Sequence, residues 1–425
     1  MRSPLDNPFT PGSDTVPVVW AGRISQLTEW SAVVRPRLHA GMPERGRTIL
    51  GEPGLGKSTL VRRIAEKAAA DGDWVTPQVR LPAGADPLKA VAAAILRLSD
   101  QAGLAAAREQ RITGILERVR QVAASGISLT IDRATGPEPY SVLTELLIEV
   151  GVAARRAGRV VLVHIDEIQN VSDENALSQL LISLGDAITA KMPVELPGGI
   201  VDQRALPIAV YLTGLPEFAE KASSRSGATF ARRFATNTLE PISDEDLLFA
   251  LSPFIDPGWE SSDETGGIST IRMTPEAAEM IVSVSCGEPF LFQLAGERAW
   301  YAGTGDVITL DEVVSGWEAA RHEATAHVER ILDRLPPKEQ EFVTRMAEMD
   351  PKHRTLTGIA RAMGYDNATN AGPFAQRLDT VRGIISRGRK YTFRHRALEA
   401  YLTTGWPELE SGTSTLRAEQ GPQPA

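Results

Sequence analysis

RTILGEPGLGKSTLVRRIAEKAAA, residues 47–70, decides how the rest of the chain is read. A short apolar run, Arg47 to Leu50, stops at Gly51, and a helix-compatible stretch begins at Ser58. Between them, Gly51 to Ser58 satisfies G-x-x-x-x-G-K-[ST] at each fixed position. Gly51, Gly54 and Gly56 let the backbone wrap tightly, so that its N–H groups converge on a phosphate. The helix that follows aims its positive end at the same anion. Lys57 is placed to reach the β- and γ-phosphates of ATP, and the Ser58 hydroxyl to ligate Mg²⁺. Glu52, Pro53, Leu55 and Thr59 complete the nucleotide-binding stretch. By composition the pattern arises about one time in a hundred in a chain of this length. A strand before and a helix after lower that chance, so a plain Gly-rich turn is the weaker reading.

The partner motif is VVLVHIDEIQ, residues 160–169. Its apolar run reads as a buried strand that delivers Asp166 to the carboxyl end, where α/β sheets place ligands. Asp166 is expected to hold Mg²⁺ through water, and Glu167 to orient or deprotonate the attacking water. Adjacent acids at a strand end also serve as solvated helix caps, a reading that recedes with the Gly-rich loop upstream. Thr213 ends another apolar run, LPIAVYLTG at 206–214. It reads equally as a γ-phosphate sensor and as a hydroxyl capping a strand. Arg232 and Arg233, on an expected helix end, read either as an arginine finger for a neighbouring subunit or as a solvated basic pair.

Outward from these motifs, strands alternate with helices, which means an α/β fold around a largely parallel sheet. A second strand is expected over Asp73–Leu81. A helix is expected from Pro87, with Asp86 as N-cap. Residues 103–124 read as helical, Gly126–Pro139 as turn-rich, Tyr140–Ala157 as an amphipathic helix, and 173–190 as a further helix. After Pro241 the pattern changes. Residues 243–255, 274–285, 289–302 and 311–332 look helical, with no strong strand signal between them. LPP at 335–337 marks a linker.

The chain has 425 residues, 42% hydrophobic and 23% charged, which suits a globular protein of two or three domains. Its single cysteine, Cys286, excludes an intrachain disulfide, suits a reducing compartment, and reads as a buried small hydrophobe. No apolar run reaches the ~18 residues of a membrane span, and the N-terminus lacks the h-region of a signal peptide. A cytoplasmic location and no membrane partner are expected. The formal net charge of −9 argues against whole-surface nucleic-acid binding but leaves room for a local basic patch. No Ser-His-Asp, zinc or glycosidase arrangement is visible. His164 reads as core, and Trp300 and Trp317 as packing.

In their order, these motifs resemble those of the AAA+ ATPases, and within them the origin-recognition-like branch and its bacterial relatives. PVVWAGRISQL at 17–27 is similar to that branch's GR-x-x-x-L motif. GEPGLGKST and HIDEIQ resemble Walker A and Walker B, and LTGLPE stands where sensor 1 would be. PISDEDLLFAL at 241–251 and CGEPFLFQLAGERAW at 286–300 are like the opening and closing helices of a helical lid. The resemblance implies a parallel-sheet P-loop NTPase core followed by an α-helical lid and a winged-helix domain. It places Val19 and Arg23 beside the adenine, and Pro289 in the lid over the nucleotide. Thr213 stands where the superfamily usually has Asn. Gly287-Glu288-Pro289 lacks the sensor 2 arginine, for which Arg298 is a distant candidate. The interval between the Walker motifs is long, suggesting an insertion near 100–140. These departures imply a slow switch rather than rapid turnover.

The expected organisation is an extended N-terminal arm at 1–16, an ATPase domain at 17–241, a lid at 242–334, a winged helix at 335–405, and a disordered tail at 406–425. In the winged helix, KEQEFVTRMAEMD, LTGIARAMGY and AGPFAQRLDTVRG read as three helices, and IISRGRKYTFRH as a hairpin. Between 377 and 396 lie Arg377, Arg382, Arg387, Arg389, Lys390, Arg394 and Arg396, against one acid, Asp379. That excess suggests contacts to duplex DNA through Arg377, Arg382, Arg387, Arg389, Lys390 and Arg394. The tip, Arg387, Arg389 and Lys390, is suited to a minor groove. A protein-binding winged helix remains the alternative. The leading function is an ATP-controlled DNA-binding switch, and the alternative is a signalling ATPase of the STAND type whose winged helix makes autoinhibitory or protein contacts. ATP or ADP is the expected ligand, with a homo-oligomer or partner protein as further company.

Overall fold

In the computed structural model, residues 2–12, 15–104, 139–223, 232–262 and 267–409 are described. The expected helix at 103–124, the turn-rich stretch after it and most of the insertion lie outside them. The chain divides into two compact units. A sheet unit comprises Arg23–Glu52 and Gly56–Leu239, and a helical unit comprises Met1–Gly22, Pro53–Leu55 and Glu240–Ala425.

The sheet unit is built on strands β1 (Gly46–Leu50), β2 (Trp74–Val75), β3 (Val79–Arg80) and β4 (Val161–Asp166), followed later by β7 (Ile208–Gly214) and β8 (Phe234–Thr238). Their order is β2-β4-β7-β1-β8, with β3 also paired to β4, and each pairing is parallel. β1, β4 and β7 are buried throughout, as central parallel strands covered on both faces must be. Because β7 lies between β1 and β4, Leu50 pairs with Gly214 and Ile165 with Leu212. That register brings the ends of three strands side by side, and the motifs read from sequence follow or close each of them.

Helix α1 (Lys57–Ala70) follows the loop and buries Leu60, Val61, Ile64, Ala65 and Ala68, a stripe at helical spacing. Helix α2 (Pro87–Gln101) starts as its sequence dictates. The Asp86 carboxylate accepts from the N–H groups of Leu88 and Lys89, and Pro87 takes the first position. Helices α3 (Pro139–Ala157) and α4 (Glu174–Thr189) also match expectation. Two features differ. The second strand is two short pieces, β2 and β3. An antiparallel hairpin, β5 (Lys191–Leu196) with β6 (Ile200–Ala205), intervenes before β7. Arg232 and Arg233 sit in a turn leading into β8, and the stretch before them on which a helix end was expected lies outside the described residues.

The helical unit contains helices α5 (Asp244–Ile255), α6 (Pro275–Ser285), α7 (Pro289–Ala302) and α8 (Leu310–Asp333). Between them lies a sheet that was not expected: β9 (Trp259–Ser262), β10 (Ile268–Met273) and β11 (Val307–Ile308), in the order β11-β10-β9. The winged helix follows as α9 (Pro337–Ala347), α10 (Leu356–Ala362), α11 (Gly372–Thr380), the hairpin β12 (Ile385–Ser386) with β13 (Thr392–Phe393), and α12 (Arg396–Thr403). Lid and winged helix share one apolar core that includes Trp317, Phe342 and Leu398.

The first and last described segments are built into this unit. The Arg2 guanidinium donates to the carbonyls of Ala299 and Gly305 and pairs with Glu312, and Phe9 is buried against Phe254 and Phe292. The tail expected from 406 is ordered at its start. Trp406 is buried and donates to the carbonyl of Val284, while the Pro407 carbonyl accepts from Trp317. No helix among the described residues is long and apolar enough to cross a membrane.

Candidate active site

The Gly-rich loop after β1 has left-handed backbone at two positions. Gly54 has φ +86° and Gly56 +77°, a region glycine enters without the Cβ penalty of other residues. Gly56 caps α1, so Lys57 is the first residue of that helix and Ser58 and Thr59 lie in its first turn. Lys57 is buried, and its ammonium donates to the Glu52 carbonyl at 3.0 Å. In the helical unit, the Gly54 carbonyl accepts from the Phe290 N–H at 3.2 Å, one residue past Pro289 at the start of α7.

Asp166 is the centre of the sheet unit's polar chemistry. Its Oδ1 accepts from the Ser58 hydroxyl (3.0 Å), from the Thr213 hydroxyl and from the Glu167 N–H (3.1 Å). Its Oδ2 accepts from the Gln78 amide at 2.9 Å, and the Arg80 Nε lies 3.9 Å away. One buried carboxylate therefore gathers the residue after the P-loop lysine, the end of β7 and the segment around β3. The donor set fits a small hard cation: hydroxyl and carboxylate oxygens side by side, with no thiolate or imidazole. Among the described residues no group of three or more His, Cys, Asp or Glu is arranged to hold a metal by itself.

Glu167 has φ +60°, one of three non-glycine residues there among those described. Such backbone is costly and concentrates at functional sites. The Gln169 side-chain amide donates to Glu167 Oε2, and its own carbonyl oxygen accepts from the Leu215 N–H at 3.2 Å. His164, on the same strand, is core as expected: burial pushes its imidazole down to about 4.

The remaining expected residues are divided between the two units. Arg23 also has positive φ, at the start of the helical stretch Ile24–Thr28. Val19 is buried in the helical unit, its carbonyl accepting from Gln293 of α7 at 2.8 Å. Arg233 is paired with Asp186 at 2.5 Å, and Arg232 is exposed in its turn. Arg298 pairs with Glu323.

In the winged helix, most of the basic excess is spent internally. Arg377 (2.9 Å) and Arg382 (3.1 Å) both hold the buried Glu339, and Arg382 is itself buried. Arg387 (2.9 Å) and Arg394 (2.6 Å) hold Asp379, and Arg396 holds Asp244 at 2.6 Å. Arg389 and Lys390, at the hairpin turn, are exposed and carry no ion pair among the described residues.

The sequence reading missed one buried charge cluster. Glu288, N-cap of α7, is fully buried between His327 of α8 (2.5 Å) and His395, which precedes α12 (2.9 Å). Burial by itself pushes its carboxyl up. The charge of the nearby His395 and the hydrogen bond with His327 outweigh that and hold it at about 2. His327 is also the side chain against which Gly54 lies. The neighbouring Cys286 thiol is pushed up to about 12, chiefly by burial, which makes it inert.

Comparison with known proteins agrees with this geometry. Residues 19–194, somewhat less than half of the chain, match the family model described as the AAA ATPase domain. No curated protein matches the sequence. Among solved structures, the chain is similar in fold to the ORC2 protein of Aeropyrum pernix (15% identity, TM-score 0.52, covering 94% of this chain and 95% of that one). It is similar also to a Walker-type ATPase of Pyrococcus abyssi (13% identity, TM-score 0.52, 90% and 96% covered). Residues 19–194 are thus similar to an AAA ATPase domain, and the chain as a whole shares the fold of the ORC2 protein, closing with a winged helix.

Proposed function

We propose that this protein binds and slowly hydrolyses ATP and acts as a nucleotide-controlled DNA-binding switch through its winged helix. The observation that carries the hydrolytic part is the convergence of Ser58 and Thr213 on Asp166, beside the left-handed Glu167. In this reading the loop from Gly51 to Thr59, with Lys57, binds the phosphates. Ser58 and Asp166 hold Mg²⁺, which neutralises phosphate charge when bound. Glu167 orients the attacking water and takes its proton. Slow turnover is supported by the Thr213 hydroxyl being engaged with Asp166, and by the pairing of Arg298 with Glu323. Arg232, exposed in its turn, is the better placed of the two candidate fingers for a second subunit.

DNA contact is supported by the exposed Arg389 and Lys390 at the wing tip, with Arg377, Arg387 and Arg394 as a partly shielded flank. A second reading, a STAND-like signalling ATPase, is favoured by one observation: the buried Glu288 ties the lid to His395 of the winged helix. Fluorescence anisotropy of a random-sequence duplex separates the two. It is run with ATP, with ADP and without nucleotide, at two salt concentrations, beside an Arg389→Ala/Lys390→Ala variant. Nucleotide-dependent binding that weakens with salt and disappears in the variant is expected of the switch. No binding in any condition hands the winged helix to protein contacts.

A further inference from the structure

Gln169 lies three residues past Asp166, on the turn that follows β4, and each side of its amide group is engaged. Its N–H₂ donates to Glu167 Oε2. Its carbonyl oxygen accepts from the N–H of Leu215, just beyond the end of β7, at 3.2 Å. A primary amide has a fixed donor side and acceptor side, so holding both ends fixes the plane of the group and the oxygen it addresses. The fit is close: a Cβ at Gly214 would lie 3.1 Å from the Gln169 oxygen and 2.9 Å from the Ile168 side chain. Ile168 is fully buried, which anchors the turn from below.

Glu167 needs such support. Its backbone is left-handed, and its carboxylate is joined to the chain by rotatable bonds with no strand pairing to restrain it. We propose that Gln169 is a positioning residue for Glu167, orienting its carboxylate toward the attacking water and tying that orientation to the end of β7. Thr213 closes the same strand and holds Asp166. A shift at the end of β7 therefore reaches Asp166 through Thr213 and Glu167 through Gln169. Two acids with separate tasks are kept in register by one strand end. The proposal rests on the hydrolytic reading above, with Glu167 as the residue that handles the water.

The test uses the full chain under saturating ATP, comparing the unaltered protein with Gln169→Met, Gln169→Glu and Glu167→Gln. Methionine keeps the length of the side chain and removes both polar ends. Glutamate keeps the shape and removes the donor. Both are expected to lower kcat by about 10- to 100-fold, the cost of a misplaced catalytic group. KM and the affinity for a fluorescent ATP analogue are expected to stay unchanged. A structural role alone would lower affinity or stability together with turnover, and that result overturns the proposal. A second readout needs no turnover: the Gln169 side-chain amide resonance, identified by its absence in Gln169→Met, is expected to move in Glu167→Ala. An amide signal indifferent to Glu167→Ala overturns the contact. Unchanged kcat in both Gln169 variants overturns the role while leaving the hydrolytic reading intact. No turnover in the unaltered protein sinks that reading and the role with it.

Discussion

Replacing Glu288 by glutamine keeps the shape of the side chain and removes one buried charge. Glu288 is fully buried between His327 and His395, and its carboxyl is held at about 2 against an ordinary 4.5. The difference corresponds to roughly 3 kcal/mol of stability in favour of the ionised form. That agrees with the ~3–5 kcal/mol lost when one member of a buried pair is removed. The sign follows from the direction. The folded value lies below the unfolded one, so the contribution is complete above an ordinary carboxylate value and is lost as the pH falls towards 2. Urea unfolding of Glu288→Gln is therefore expected to show a helical unit weaker by about 3 kcal/mol at neutral pH. The gap to the unaltered protein should shrink to roughly half near pH 3. Tryptophan fluorescence reports it directly, since Trp317 and Trp406 pack 5.9 Å apart in the same core. Equal stability at neutral pH, or a gap that does not change on acidification, would refute the account of Glu288 as an anion held by two imidazoles.

Lys57→Ala is expected to abolish ATP binding, as read by a fluorescent nucleotide, and unchanged affinity would remove the loop from its assigned role. Gly54→Ala places a Cβ 2.3 Å from His327 Cε1 at φ +86°. It is expected to lower the thermal midpoint of the helical unit by an amount equivalent to ~1–3 kcal/mol. A midpoint that does not move would show that neither the backbone nor the imidazole constrains this position.

The sheet core was legible because its signals are local. A fixed-spacing loop, two apolar runs ending in polar residues, and helices with proper caps each carry their own physical cause within about ten residues. What escaped the reading has weak or distant causes. The β5–β6 hairpin alternates between exposed and half-buried positions, so its sequence, KMPVEL and IVDQRA, never forms an apolar run. β8 reads FATNT, polar at most positions, and is strand because it pairs with β1. The small sheet of the helical unit has β11, a strand of only two residues, on one edge. Gln78 and Gln169 are ordinary polar residues until β4 and β7 bring Asp166, Glu167 and Leu215 beside them.

The wing illustrates why counting charges along a segment overstates what a surface can bind. Seven basic residues against one acid between 377 and 396 suggested an open cationic face. The neutralising acids come from elsewhere in the chain: Glu339 from α9 and Asp244 from α5, with Asp379 accepting two arginines at once. A buried carboxylate such as Glu339 is costly without cations, so Arg377 and Arg382 are first of all parts of the fold. Their sequence neighbours Arg389 and Lys390 differ only in standing on a turn that no acidic side chain reaches among the described residues. The charge this unit presents to solvent is what packing has left over, and for the wing that remainder is the tip.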